Sequence, residues 1–233
     1  MSIQVLHCAD LHLDRTFGIS SYERAFARRR DLTNNLEEIV QYALKNRPDL
    51  FLICGDIYDR VLPTNPVRVF LTGKIRELKE AGIEVFAIGG NHDVPKTYRH
   101  AELAIDTLGR AGLATVFSAS DRLQSRTLKI DGEDICISGK SYNPLNETVN
   151  PIKGVKVPTQ GRYNILMLHA AFLGLGVTPS VPSFVSQNPV TARSIPRKLD
   201  YLALGHFHNF FERRTRGTFI CNPGSIERLS WLE

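Results

Sequence analysis

The sequence predicts a layered α/β fold. Two observations predict it: short apolar runs alternate with stretches of helical periodicity, and the apolar runs end in turns rich in Gly, Asp, Asn and His. Residues 3–8 read as a first strand that stops at Asp10. Residues 22–46 place Leu32, Leu36, Ile39, Tyr42 and Ala43 at helical spacing, which predicts a long amphipathic helix. Residues 49–54 are a buried strand running into Gly55-Asp56-Ile57-Tyr58-Asp59. Asn65 followed by Pro66 opens a second helix, continued by Leu71, Ile75 and Leu78 and stopped near Gly82. Residues 83–88 form a third strand that ends in Gly89-Gly90-Asn91-His92-Asp93, and residues 100–111 predict a further helix.

The second half reads mostly as strands. Residues 126–130 and 134–138 flank Asp131-Gly132 and predict a hairpin. Residues 163–168 and 201–204 are strands ending at His169 and at Gly205-His206-Phe207-His208. A last hairpin around Arg216-Gly217 leads to Asn222-Pro223-Gly224-Ser225. Residues 140–162 and 170–198 have no clear period, and segments of that length inside a compact fold either wall a substrate site or are surface insertions.

Composition narrows the class. A chain of 233 residues, 42% hydrophobic and 23% charged, has the make-up of a globular protein with a sizeable core, and residues 1–233 read as a single domain. The net charge of +5 fits a polyanionic substrate without establishing one. No apolar run reaches about 18 residues, and Asp10 and His12 come too early for a secretory leader, so a cytoplasmic protein is expected, without membrane partners. Cys8, Cys54, Cys136 and Cys221 are widely spaced with no CxxC pair and read as buried thiols.

The chemistry lies at the strand ends. Every histidine except His100 falls in or just after an apolar run. In an open α/β sheet the strand ends converge on the ligand crevice, so Asp10, His12, Asp56, Asn91, His169, His206 and His208 can meet in space. Any one of them alone is more often a hydrogen-bonded turn residue than a ligand. Together they supply carboxylate, amide and imidazole donors without a thiolate, a set suited to Mn²⁺, Fe²⁺ or Zn²⁺ in a catalytic site. Seven donors are too many for one ion, and two ions about 3.5–4 Å apart, bridged by one carboxylate, would share them. Asp56 is the natural bridge.

Asp10-Leu11-His12, Gly55-Asp56-Ile57-Tyr58-Asp59, Gly90-Asn91-His92-Asp93, His169 and Gly205-His206-Phe207-His208 resemble, in order, the five motifs of the calcineurin-like metallophosphoesterases. The resemblance implies a β sandwich flanked by helices with a dimetal site at the strand ends. One ion would take Asp10, His12, Asp56 and His208, and the other Asp56, Asn91, His169 and His206. It implies manganese ahead of iron or zinc, His92 as the catalytic residue that protonates the leaving oxygen or steadies the transition state, and Asp93 as an orienting partner. Residues 6–14 and 222–228 further resemble the SbcD-type DNA repair exonucleases. Asp59 stands where archaeal and eukaryotic members of that group usually carry histidine and bacterial ones carry aspartate. Family members usually continue into a DNA-capping region and an ATPase-docking region that this chain does not include.

The expected activity is therefore phosphodiester hydrolysis, with DNA as substrate, an SbcC-like ATPase as partner and a homodimer as assembly. The alternatives are a nucleotide phosphodiesterase or protein phosphatase of the same superfamily, and a non-catalytic scaffold. Arg28, Arg29 and Arg30, Arg193 and Lys198, and Arg213, Arg214 and Arg216 are the basic groups available to a phosphate backbone; which of them touch DNA is left open.

Overall fold

The structure, a computed structural model, describes residues 2–19, 21–96, 102–173 and 187–229. Strands β1 (Val5–Cys8), β2 (Leu50–Cys54), β3 (Glu84–Ile88) and β4 (Thr115–Val116) pair in that order as a parallel sheet. Helices α1 (Tyr22–Asn46) and α2 (Asn65–Glu80) cross over between them. The second sheet is built from β5 (Gln124–Ile130), β6 (Glu133–Lys140), β7 (Tyr163–His169), β10 (Tyr201–Gly205), β11 (Phe211–Thr215) and β12 (Thr218–Asn222), in the order β11-β12-β10-β7-β6-β5. Its inner pairs β6–β7, β7–β10 and β10–β12 are parallel, and the outer hairpins are antiparallel.

Both hairpin turns carry two successive residues at positive φ, Asp131-Gly132 (49° and 84°) and Arg216-Gly217 (53° and 88°), the backbone twist that a two-residue hairpin requires. Ser21 caps α1 by accepting from Arg24 N, and Arg47, at φ 53°, turns the chain out of it. For α2 the cap is Thr64 rather than Asn65. The Thr64 N–H and hydroxyl both donate to the Asp14 carboxylate, at 2.9 and 3.2 Å, which ties the start of α2 to the loop after β1.

The two sheets face each other. Leu50, Leu52, Cys54, Phe86 and Ile88 from the first meet Ile135, Ile137, Ile165, Met167 and Ala203 from the second, all buried. The alternate residues Phe51, Ile53, Val85 and Ala87 point to the other side and are covered by Leu32, Leu36 and Val40 of α1 and Leu71, Ile75 and Leu78 of α2. Burial on both faces explains why β2 and β3 read as continuous apolar runs. Each such aliphatic side chain contributes about 1.5–3 kcal/mol.

The expected sandwich with flanking helices holds, and the long helices α1 and α2 lie on the first sheet. The outer face of the second sheet, Leu166, Leu168, Leu202, Leu204 and Ile220, is covered instead by Ile152, Val157, Phe172, Val190, Ile195 and Leu199. All but Leu199 come from the two aperiodic segments, which here include a short β8–β9 ladder (Phe172–Leu173 with Val190–Thr191) and a 3₁₀ turn, Ala192–Ser194. Much of what reads as loop is thus core cover.

The helix expected over residues 100–111 is corrected to α3, Asp106–Arg110. The Asp106 carboxylate accepts from Leu103 N at 2.7 Å, a local turn that starts the helix late. His100 and Ala101 lie outside the described residues. No helix among the described residues is long and apolar enough to cross a membrane.

Candidate metal centre

Because β1, β2 and β3 run parallel, and β7 and β10 run parallel in the facing sheet, their C-terminal ends open on one rim of the sandwich. All seven candidate ligands lie there. Asp10 and His12 follow β1, Asp56 follows β2, Asn91 follows β3, His169 ends β7, and His206 and His208 follow β10. Asp10, His12, Asp56 and His206 hold positive φ values of 52°, 43°, 48° and 97°, a conformation that costs a non-glycine residue about 1–3 kcal/mol and gathers at functional sites. Backbone bonds hold the turns after β1 and β2 together: Asp10 N to Gly55 O at 3.0 Å, and His12 N to Asp56 O at 2.9 Å.

Two motif glycines permit this approach. A Cβ on Gly55 would run into the His169 ring, and one on Gly90 would strike the backbone nitrogen and carboxylate of Asp56.

The donors converge on two points. At the first, His12 Nε2 and His208 Nε2 face each other at 3.2 Å, and an Asp10 oxygen lies within 4.8 Å of both. At the second, the Asn91 Oδ1 lies 3.0 Å from His169 Nε2 and 3.1 Å from His206 Nδ1. Asp56 Oδ2 stands between them, 3.6 Å from His12 Nε2 and 3.4 Å from His169 Nε2. Two of the rings are held from behind: His12 Nδ1 lies 3.0 Å from Asp59 Oδ1, and His169 Nδ1 donates to Cys54 O at 2.9 Å. A metal-binding imidazole is usually oriented in this way, one nitrogen anchored and the other presenting its lone pair.

Charge tells the same story. Burial pushes the Asp10 carboxyl well above its usual range, and nearby Asp56 adds to the shift. Burial opposes the charge on Asp56 as well, but His169, then His12 and His92, hold it below the usual range. His169 resists protonation through burial, yet Asp56 and Asp10 carry it up to about 9. The rim therefore balances its buried carboxylates with protons, a task that divalent cations perform with the same donors. The residues present fit a pair of such ions.

His92 and Asp93 do different things. His92 N donates to Asp56 Oδ1 at 2.8 Å, while its ring, side chain 38% exposed, lies edge-on to His12 with Nδ1 donating to Asp59 O at 3.1 Å. Its Nε2 is 4.0 Å from Asp56 Oδ2, facing the rim. Asp93 is buried and accepts from Gly90 N, Ile57 N and Tyr58 N at 2.9, 3.0 and 2.9 Å, pinning the turns after β2 and β3 to each other.

Three contributors were not assigned from sequence. Asp59 anchors His12 and is itself held by Arg15 at 2.9 Å. Asn222 donates to the carbonyls on either side of His208. Asp59, inside a motif, and Asn222, first residue of the 222–228 segment, left a sequence signal, but neither pointed to its role. Of the basic residues, Arg28 pairs with Asp31 and Glu227, and Arg29 donates to Arg15 O.

Residues 3–210 match the family model of the calcineurin-like phosphoesterases. The chain belongs to that family. The DNA double-strand break repair protein Mre11 of Aeropyrum pernix is 42% identical over 97% of this chain and 54% of its own length. The protein of the same name from Methanopyrus kandleri is 27% identical over 99% of this chain and 50% of its own. This phosphoesterase spans about half the length of the curated relatives it matches. Among solved structures, a dimetal phosphatase from Danio rerio superposes with a TM-score of 0.53 over 96% of this chain and 88% of that one, at 11% identity, a likeness of fold.

Proposed function

We propose that this phosphoesterase is a dimetal DNA nuclease of double-strand-break repair. The observation that carries the reading is the pair of donor clusters sharing Asp56 Oδ2 between them. Support for DNA comes from the relatives, named for double-strand break repair, which match along nearly the whole chain. Asp10, His12, Asp56 and His208 would hold one cation, and Asp56, Asn91, His169 and His206 the other, with manganese favoured. Bound there, such a pair would supply a nucleophilic hydroxide from water near neutral pH and neutralise charge on the phosphate.

The protein's own groups do the rest. The turns at positive φ and the Asp93 clamp fix the donors before substrate arrives, so little reorganisation accompanies the reaction. His92, with Nδ1 committed to the Asp59 carbonyl, keeps Nε2 free to hold a proton and deliver it to the departing oxygen. Asp59 and the Cys54 carbonyl set the tautomers of His12 and His169. An SbcC-like ATPase is the partner expected alongside, and a homodimer the assembly.

The test is manganese-supported turnover of linear duplex DNA, a small phosphodiester and a phosphoprotein by one sample. Cleavage of duplex DNA is expected. Efficient turnover of the small ester or phosphoprotein with intact DNA would reject the nuclease reading and keep the phosphoesterase.

A further inference from the structure

Asn222, the last residue of β12, is fully buried, and nothing in its own strand calls for a carboxamide. Its Nδ2 donates to Phe207 O at 2.6 Å and to Asn209 O at 3.1 Å. The carbonyl between these two, that of His208, accepts from Ser225 N at 3.1 Å. The segment leaving β12 thus holds three consecutive carbonyls of the turn that carries His208. Among the described residues the Asn222 Oδ1 is buried without a hydrogen-bond partner, a loss of about 1–3 kcal/mol that an apolar side chain would avoid. The two N–H bonds are the gain that sets Asn apart from such a side chain.

The same segment then runs along α1. Asn35 Nδ2 donates to Ile226 O at 2.7 Å and Glu227 Oε2 at 3.2 Å, and Arg28 pairs with Glu227 at 2.9 Å. Farther on, Leu229 O accepts from Arg15 at 3.4 Å; the same guanidinium holds Asp59, which anchors His12. His208 and His12 face each other at 3.2 Å and are braced by one stretch of chain, the first directly and the second through Arg15 and Asp59.

We propose that Asn222 is a positioning residue for the cation site around His12 and His208, and that residues 222–229 form a strap keeping the two imidazoles aimed at one ion. This rests on the dimetal reading of the rim. The strap acts through the backbone of the His208 turn, so its loss should loosen the site without removing any donor.

Asn222→Ala and Asn35→Ala, each in the full chain, test it with Mn²⁺ as the probe. Equilibrium dialysis should show Mn²⁺ affinity at one site falling about 10- to 100-fold for Asn222→Ala, the range found when partners that orient metal ligands are removed. In the metal-free variant, amides 206–209 should exchange faster with solvent. Saturating Mn²⁺ should recover turnover of a small phosphodiester. Asn35→Ala, at a half-exposed position where folding is not at risk, should shift Mn²⁺ affinity the same way by less. A folded Asn222→Ala with wild-type Mn²⁺ affinity overturns the proposal. Should that variant fail to fold, an Asn35→Ala chain with unchanged affinity overturns it instead. Wild-type chain that binds no Mn²⁺ overturns the dimetal reading beneath it.

Discussion

His92 and Asp56 sit side by side on the rim, joined by the His92 N to Asp56 Oδ1 bond, yet they should fail differently. His92 reaches the rim with an exposed ring whose Nδ1 is already committed, so His92→Ala should keep its cations and slow turnover about 10²- to 10⁴-fold. Metal analysis beside steady-state kinetics checks this, and loss of both ions would show that His92 is a ligand. The residues that the motifs single out were legible in sequence because few side-chain types can ligate a hard cation, and each stands at the end of an apolar run. Arg15, the Cys54 carbonyl and the role of Asn222 were not, because hydrogen bonding to a ligand's backbone, its ring or its anchor leaves no pattern of its own along the chain. Asp59 was visible as a motif residue, but its role depends on where the His12 ring turns.

At the scale of elements, periodicity served well where an element has one wet face or two dry ones. The α1 helix begins and ends where its spacing predicts, and β2 and β3 lie within their apolar runs. It failed where a segment covers a sheet with little regular structure, as residues 152–157 and 195–199 do, since scattered apolar residues satisfy the sheet face as well as a helix would. The 100–111 helix was overestimated because the Asp106 carboxylate reaches back to Leu103 N, a capping contact that sets the start of α3 within the predicted span. The junctions between strand and turn are the least tolerant places. Gly90→Ala would drive a methyl group against Asp56 N, so we expect a folded chain with Mn²⁺ binding weakened tenfold or more by the order of other losses of ligand support. Mn²⁺ titration of that variant checks it, and wild-type affinity would mean that the β3 turn has slack.

Across the whole molecule, the polar rim is set against an apolar interior that partly buries His7, its Nδ1 2.8 Å from the Tyr201 hydroxyl. Burial lowers the His7 pKa from 6.5 to about 3, so from pH 6.5 down towards 3 the unfolded chain takes a proton that the folded chain refuses. Stability is therefore present above pH 6.5 and drains away as acid is added, by about 2 kcal/mol for this group between pH 6.5 and 5. Urea unfolding of the metal-free chain should show His7→Gln losing less stability than wild type over that interval, and equal losses would assign the acid sensitivity elsewhere. The central claim concerns the rim, where one carboxylate would serve two cations. Counting Mn²⁺ per chain in wild type and Asp56→Ala, with duplex DNA cleavage measured on the same samples, tests it most directly. The account predicts two ions and cleavage in wild type, and neither in the variant; an Asp56→Ala chain that keeps both ions, or cuts DNA at full rate, would contradict it.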